Sequence, residues 1–411
     1  MTQIIGVDVG GTFTDLISFD VNSDTVRIAK VLSTPENQAF GVMKALETAE
    51  ANLESVESLI HGTTVTTNAL LERKISRVGL ITTKGFRDVL ELGRRTRPKP
   101  YGMTGVFECI IPREFRLEVR ERVDSDGEII EPLNENDVAK ALKLLLENGI
   151  ESLIIHFLHS YKNDIHERIA SDIAKDLWPN SFITRGSELV TEFREYERGT
   201  TAAINAAVQP VLHNYIKRLQ HQLKEDKYSK DLLVMQGNGG TVSSSIVSDE
   251  AVKTVMSGPA SGVMAAAYTS MQCGFSHVVT YDMGGTSCDV GLIADGIPQV
   301  TSELEIEYAM PIHVPMVDVH TIGAGGGSLA WVNDAGLLQV GPESAGAQPG
   351  PICYGRGGTK PTITDANLIL GRLNPESLLS VENPVSIETV QNKVIDDVGK
   401  DLGFKGMEET A

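Results

Sequence analysis

Two short stretches carry the residues best suited to chemistry: DVGGTFTD, beginning at Asp8, and DMGGTSCD, beginning at Asp282. Five of the eight positions coincide: Asp8 with Asp282, Gly10 with Gly284, Gly11 with Gly285, Thr12 with Thr286, and Asp15 with Asp289. With average amino-acid usage the fixed letters of D-x-G-G-T arise on the order of 10⁻⁵ per position, so two copies in one chain are not random. A Gly-Gly pair at a hairpin tip permits positive φ and removes both Cβ atoms, which lets backbone N–H groups approach a phosphate. The threonine hydroxyl adds a donor. An aspartate ending the incoming strand can bind a water of Mg²⁺, an ion that takes few carboxylates and keeps most of its waters. On this reading Gly10, Gly11, Thr12, Gly284, Gly285 and Thr286 bind nucleotide phosphates, and Asp8 and Asp282 serve the metal. Two such hairpins, one per domain, would grip a polyphosphate from both sides. The Rossmann fingerprint lies between strand and helix, and the Walker loop needs G-K-[ST]; here a strand follows each turn and no lysine is present. The plainer alternative is a pair of unrelated tight hairpins.

The elements that must position these loops follow from pattern. IIGVDVGG and LISFDV read as strand, tight turn, strand. RLEVRERVDSDGEIIEPL reads as two strands joined at Asp126-Gly127, and NENDVAKALKLLLENG as a helix capped by Asn134 and closed at Gly149. IESLIIHFLHS is then a buried strand, DIHERIASDIAKDLW a helix and SFITRGS a strand. Such alternation predicts an α/β fold around a mixed sheet. From Ser187 to about Glu225 the pattern becomes one long helical region, which Pro210 must kink or restart. The domain boundary is placed here, giving residues 1–186 with the first loop and 187–411 with the second. DLLVMQGNGG, HVVTYDMGG and CDVGLIADG then return to strands between glycine turns, with SGPASGVMAAAYTSM as a helix after the first.

Composition narrows the function classes. The chain has 411 residues, enough for two or three domains, and a formal charge of −19, which disfavours a phosphate backbone or an anionic membrane as the main partner. The one basic run, GRRTRPKP from Gly93, reads as a solvated loop, or else as a contact for a partner subunit or an anionic substrate. Cys109, Cys273, Cys288 and Cys353 form no C-x-x-C pair and read as free thiols. With neither a leader nor an apolar run of membrane length, the expected compartment is the cytoplasm.

Asp318 and His320, in PMVDVHTIGAGGGS, stand two apart on an expected strand, so both project from one face and could share a metal ion or a proton. The glycine run after them marks close approach to a ligand. The pair is therefore the candidate catalytic centre and a candidate site for a second divalent metal, although a hydrogen-bonded Asp-x-His is the simpler reading. Cys353 could join as a soft ligand if folding brought it there. Thr67 or Asn68 is expected to cap the helix ALLERK, and Ser257 and Pro259 read as N-cap and first-turn proline of a helix whose N-terminus could point at phosphate. His61 reads as a buried histidine or a group facing the cleft. His156, His159 and His166 lack metal spacing, and Glu195 and Arg198 read as helix-face ion pairs.

At the two hairpins the chain resembles the superfamily of actin, the heat-shock chaperone ATPases and the sugar kinases. HGTTVTTNALLERK, VGLITTKGFRDVLELGRRTRP, SGPASGVMAAA, VDVHTIGAGGGSLAW and GPESAGAQPGPICYGRGGTKPTITDANLILGRL resemble, in order, the hydantoinase A/5-oxoprolinase family. The likeness runs from Ile4 to about Leu373. It implies two actin-like, ribonuclease H-like domains with a cleft between them, and binding of ATP with Mg²⁺. It also implies phosphorylation of the carbonyl oxygen of a cyclic amide (hydantoin, 5-oxoproline or another lactam), which makes a poor leaving group a good one. The alternative within the family is a ketone enolate in an ATP-dependent carboxylase. A B-type subunit or domain is the implied partner. Family members continue past TDANLILGRL with a third glycine motif of the form F-G-G-A-G-P, and nothing like it follows Arg372. The expectation is that the remainder is a separate polypeptide, or that this chain is a fragment or non-catalytic remnant that binds nucleotide weakly in isolation.

Overall fold

The computed structural model describes residues 3–11, 13–34, 38–94, 101–102, 108–346, 348–375, 378, 381, 384–404, 406 and 409. Thr12 and residues 95–100 of the basic run lie outside them. The chain opens with the hairpin β1 (Gln3–Val9) and β2 (Phe13–Asp20), followed by β3 (Thr25–Leu32), α1 (Gln38–Thr48), β4 (Val56–Thr63) and α2 (Val65–Leu71). Next come β5 (Val78–Thr83), α3 (Val89–Leu92), β6 (Arg116–Val119), β7 (Arg122–Val123), β8 (Ile129–Glu131), α4 (Glu135–Glu147), β9 (Ser152–His156), α5 (Ile165–Leu177), β10 (Ile183–Arg185) and α6 (Gly186–Leu189). The long α7 (Glu195–Glu225) leads to β11 (Leu232–Met235), β12 (Thr241–Ser243), α8 (Ser257–Gln272), the second hairpin β13 (Val278–Met283) and β14 (Cys288–Ala294), and β15 (Ile297–Pro298). A strand over Val319–Ile322 and helices α9 (Ile363–Ile369) and α10 (Ile387–Val394) follow.

The α/β reading holds. A six-stranded mixed sheet runs β12-β11-β4-β1-β2-β3, a parallel sheet runs β10-β9-β5-β6, and β13-β14-β15 form a third, with Val319–Ile322 on β14. Strand pairing crosses residues 186 and 187, because β11 pairs in parallel with β4. Strict alternation on β1 sends Ile5, Val7 and Val9 into the core under α1 and α7, while Ile4 and Asp8 face the other way. Asn134 caps α4 by accepting from Asp137 N at 3.0 Å, and Gly149 takes φ +68° just past its end, as the sequence predicts. Among the described residues no helix is long and apolar enough to cross a membrane.

Three local expectations are corrected. The helical region breaks at residues 190–194, where Arg194 has φ +82°, and then α7 runs through Pro210. Proline cannot donate to the carbonyl four residues back, but Ser76 Oγ does so, reaching Ala206 O at 3.1 Å while Ser76 N holds Ala207 O at 3.0 Å. Helix α2 begins at Val65 with Thr64 at its N-cap, so neither Thr67 nor Asn68 caps it; Thr67 Oγ1 instead accepts from Met256 N at 3.1 Å. Met256, in the left-handed region at φ +58°, is the N-cap of α8, which shifts Ser257 inside the helix.

His61 is buried, with Nε2 2.8 Å from Tyr215 Oη, and burial lowers its pKa to about 4. A histidine held neutral in the fold and free to charge when unfolded contributes stability above its ordinary pKa near 6.5, and that contribution is lost as the pH falls towards 4. The loss from this group alone approaches about 3 kcal/mol. Guanidinium unfolding at pH 7 and pH 5 should therefore show a smaller pH penalty for His61→Gln than for the parent. Equal penalties would show that His61 is not buried in its neutral form.

Candidate functional site

The two hairpins are built alike. Asp8 pairs with Asp15 across β1 and β2, and Asp282 with Asp289 across β13 and β14. Gly10 N donates to Phe13 O at 2.9 Å, and Gly284 N to Ser287 O at 2.8 Å, so the same bond closes both turns. The third strands match as well: Lys30 lies opposite Asp15 and Thr321 opposite Asp289. Lys30 Nζ reaches Asp15 Oδ1 at 2.6 Å, and Thr321 Oγ1 donates to Asp289 Oδ1 at 2.7 Å. The repeat is therefore three strands deep.

Positive φ is not what the loop glycines supply. None of Gly10, Gly11 and Gly284 occupies the left-handed region, and a Cβ on Gly11 would meet nothing within 4 Å. Gly11, Gly284, Gly285 and Thr286 are exposed at the tips, Gly10 is half-buried, and Thr12 lies outside the described residues. Ser33 Oγ and Thr64 Oγ1 pin the first turn by donating to Gly10 O at 2.8 Å and Val9 O at 3.0 Å.

Asp8 is the electrostatic centre of the cleft. Desolvation raises its pKa, the Asp15 and Asp282 carboxylates raise it further, and Lys30 opposes them. Repulsion from Asp282 places the second hairpin within electrostatic range of the first. A Cβ on Gly62 would stand 2.5 Å from Asp8 Oδ1, and one on Gly258, in the first turn of α8, 3.5 Å from it. Helix α8 thus begins beside Asp8 and continues along the second hairpin sheet, where Ala260, Val263 and Ala267 pack with Ile293, Val317 and Val319. An open groove of about 370 Å³ adjoins Asp8 and Asp15, with Ile17, Ile28 and Met235 on its apolar side. Desolvation and Asp282 likewise raise the pKa of Asp289.

Sequence reasoning missed the clasp on the second turn. Gly326 N donates to Gly284 O at 2.8 Å and Gly327 N to Gly285 O at 2.6 Å. A Cβ on Gly325 would lie 2.5 Å from Ser287 N and 2.6 Å from Thr286 N. The GAGGGS run is thus spaced for the hairpin carbonyls, and its glycines were the only sequence signal. Gly62 carries no local signal either, since the carboxylate that requires it, Asp8, lies on another strand.

Asp318 and His320 are together but not with the aspartates. His320 Nε2 is 3.7 Å from Asp318 Oδ1, and its side chain is 81 % exposed. On the strand Val319–Ile322, Val319 packs with α8 and Thr321 meets Asp289, so alternation turns His320 to the opposite sheet face. Cys353 does not join them. It is fully buried with Ile352, Leu368, Val390 and Val394, its N–H donates to Asp365 Oδ1 at 2.8 Å, and desolvation raises its thiol pKa. Among the described residues no three His, Cys, Asp or Glu side chains gather as a metal site.

His156 and His166 are buried, His156 with Nε2 2.9 Å from Glu195 O and His166 with Nδ1 2.8 Å from Glu121 Oε2. Arg198 does pair with Glu195 along the helix, Nη2 to Oε1 at 3.4 Å, but its side chain is fully buried and also donates to Glu192 O at 2.9 Å and Phe157 O at 3.3 Å.

Comparison with known proteins agrees with this architecture. The model of the hydantoinase/oxoprolinase N-terminal region matches residues 4–178 and that of hydantoinase/oxoprolinase matches residues 198–411. Caprolactamase subunit alpha of Pseudomonas jessenii is 36% identical over 96% of this chain and 59% of its own length. The acetophenone carboxylase gamma subunit of Aromatoleum aromaticum is 32% identical over 99% of this chain and 58% of its own. The crystal structure of the ATP-dependent caprolactamase from Pseudomonas jessenii superposes with a TM-score of 0.84 at 33% identity, over 100% of this chain and 60% of that one. The chain thus spans about three-fifths of the length of these relatives. With both family models matched in sequence order and the paired hairpins in matching register, the chain belongs to the hydantoinase/oxoprolinase family.

Proposed function

We propose that this chain is the ATP-handling part of an ATP-dependent cyclic-amide hydrolase acting on a hydantoin, 5-oxoproline or another lactam. The observation that carries the reading is the pair of hairpins in matching register, with Asp282 close enough to raise the pKa of Asp8. Exposed glycine tips leave backbone room for phosphate oxygens, and the two aspartates form a site that favours a cation. The residues fit Mg²⁺ better than zinc, since two carboxylates with water and phosphate oxygens suffice for the former, while a zinc site wants three or four protein ligands. When bound, ATP and Mg²⁺ supply the phosphoryl group and the charge neutralisation that make an amide oxygen a leaving group. The chain's own task is to hold the polyphosphate between the turns and to present the Asp8 and Asp282 carboxylates to the cation. A B-type subunit, completing hydrolysis, is the proposed partner.

Asp318 and His320 are proposed as a proton-handling pair towards substrate; among the described residues a second divalent metal there would have only these two side chains as ligands. Standing on the face opposite the aspartates, they do not touch the same phosphate. His320→Ala should therefore lower substrate-stimulated ATP hydrolysis by about a hundredfold while leaving nucleotide affinity unchanged. An unchanged kcat would remove the pair from the mechanism.

A ketone carboxylase is the second reading, favoured by the 32% identity to the acetophenone carboxylase gamma subunit. Phosphate release, screened across hydantoins, lactams and small ketones with a B-type subunit added, tests both. Stimulation by a cyclic amide supports the first reading and stimulation by a ketone with bicarbonate the second. No stimulation by either class favours the non-catalytic remnant.

A further inference from the structure

We infer that Arg94, acting through Glu303, is a positioning residue for Asp318 and the strand Val319–Ile322 that follows it. Its effect on turnover rests on the proton-handling role proposed for Asp318 and His320; its effect on the strand does not. The path of residues 300–317 supplies the reason. The chain leaves the second hairpin sheet after β15 and rejoins it at Val319, and the two ends are tied where Asp318 N donates to Gln299 O at 2.9 Å. Just beyond that tie, Val300–Thr301 pairs antiparallel with Met316–Val317. From there the chain makes an excursion into the core of the six-stranded sheet, where Met310, Ile312, Val314 and Met316 are buried with Val208 and Leu212 of α7. Asp318 thus stands at the base of a finger whose body belongs to the other sheet.

Polar contacts fasten the finger along its length. At the tip Arg73 Nη2 meets Glu307 Oε2 at 2.6 Å, and Tyr196 Oη donates to Ala309 O. On the returning limb His313 N donates to Thr201 Oγ1 at 2.9 Å, and His313 Nε2 lies 2.7 Å from Glu192 Oε2. At the base of the outgoing limb Glu303 takes both arms of the Arg94 guanidinium, with Nη1 2.7 Å from Oε1, while Arg94 Nε donates to Glu197 Oε1 at 2.7 Å. Glu303 Oε2 is also 3.6 Å from His313 Nδ1, so this one carboxylate faces both limbs.

Of these anchors the Arg94 fork alone holds the outgoing limb at its base. A lysine ammonium is a point donor and cannot grip Glu303 with two parallel bonds while reaching Glu197 from a third nitrogen. The pairing is mutual: Glu303 raises the Arg94 pKa, and the Arg94 guanidinium holds the Glu303 carboxyl below its ordinary value. Exposed ion pairs contribute little, but Glu197, in the first turn of α7, is only 7% exposed, and Arg194 Nη1 stands 3.9 Å from it. Removing Arg94 therefore leaves a buried carboxylate poorly paired and frees the base of the finger. The second phosphate turn keeps its own clasp from Gly326 and Gly327, so nucleotide binding does not depend on this anchor.

The test compares Arg94→Gln, Arg94→Lys, Glu303→Gln and the double variant Arg94→Gln/Glu303→Gln with Arg73→Gln, which removes the anchor at the tip. Hydrogen exchange is read at amides of residues 319–322, with β5 as the internal reference. The expected result is exchange about tenfold faster at 319–322 in each of the first three variants and no further increase in the double variant. Neither β5 in any variant nor residues 319–322 in Arg73→Gln should change. Glu303→Gln keeps the size of the side chain and carries the same prediction should Arg94→Gln fail to fold. With a B-type subunit and a stimulating cyclic amide, Arg94→Gln should lower kcat about tenfold and leave nucleotide affinity unchanged. If the parent chain shows no stimulated turnover, the reading of the site fails, while the exchange comparison still decides the role of Arg94. Unchanged exchange at 319–322 in Arg94→Gln and Glu303→Gln, equal acceleration in Arg73→Gln, additive effects in the double variant, or faster exchange with an unchanged kcat overturns the inference.

Discussion

Asp8→Asn or Asp282→Asn lowers kcat/KM for ATP hydrolysis by about 10²–10³-fold, and the two replacements together cost little more than either alone. Removing one preorganised charge-stabilising group from a phosphoryl- or acyl-transfer site costs on this scale, and residues acting as one unit are not additive. The pH profile carries a second signature. Desolvation first, and then the neighbouring Asp15 and Asp282 carboxylates, raise the Asp8 pKa from the ordinary value. Cation binding requires the ionised form, so activity falls with decreasing pH sooner than for an ordinary aspartate, and the Asp8→Asn variant loses that limb. Stability moves in the other direction. A carboxyl whose folded pKa is raised favours the fold at low pH and loses that contribution as the pH rises through it. Replacing Asp8 with the neutral amide removes the repulsion from Asp15 and Asp282, so the unliganded variant melts no lower than the parent at neutral pH. Loss of activity together with a lower melting temperature would mean that Asp8 is structural and would remove it from the phosphate site.

The second large effect is structural in origin. Gly325→Ala places a methyl group 2.5 Å from Ser287 N and 2.6 Å from Thr286, all backbone atoms that cannot rotate away. The second turn must separate from the clasp, with loss of the Gly326–Gly284 and Gly327–Gly285 bonds. Overpacking of this kind costs about 1–3 kcal/mol, and nucleotide affinity should fall with it because the turn is displaced. Gly323→Ala is the internal control, since its Cβ would meet nothing within 4 Å. Equal melting temperatures for the two variants would show that the clasp does not hold the turn.

Much of the site was legible because a hairpin is local. Asp8 to Asp15 and Asp282 to Asp289 span one turn each, and the turn sets their cross-strand register without help from the rest of the chain. The cap at Asn134 was legible for the same reason: donor and acceptor lie three residues apart. The helix through Pro210 was not, because the group that replaces its missing donor is Ser76, remote in sequence. Nor was the glycine clasp, whose partners Gly284 and Gly285 lie on another element.

The face of His320 shows the limit most clearly. Period-two alternation places Asp318 and His320 on one side of a strand, but it does not say which side of the sheet that is. That parity is fixed only when Thr321 registers opposite Asp289, which turns His320 away from the cleft and onto the uncovered face beside Tyr281. Local chemistry, then, was written in the chain: the repeated turns, their aspartates and the family they belong to. Tertiary pairing decided which groups share a face, what clasps the second turn and which surface is left open, because those depend on contacts between residues that only folding brings together.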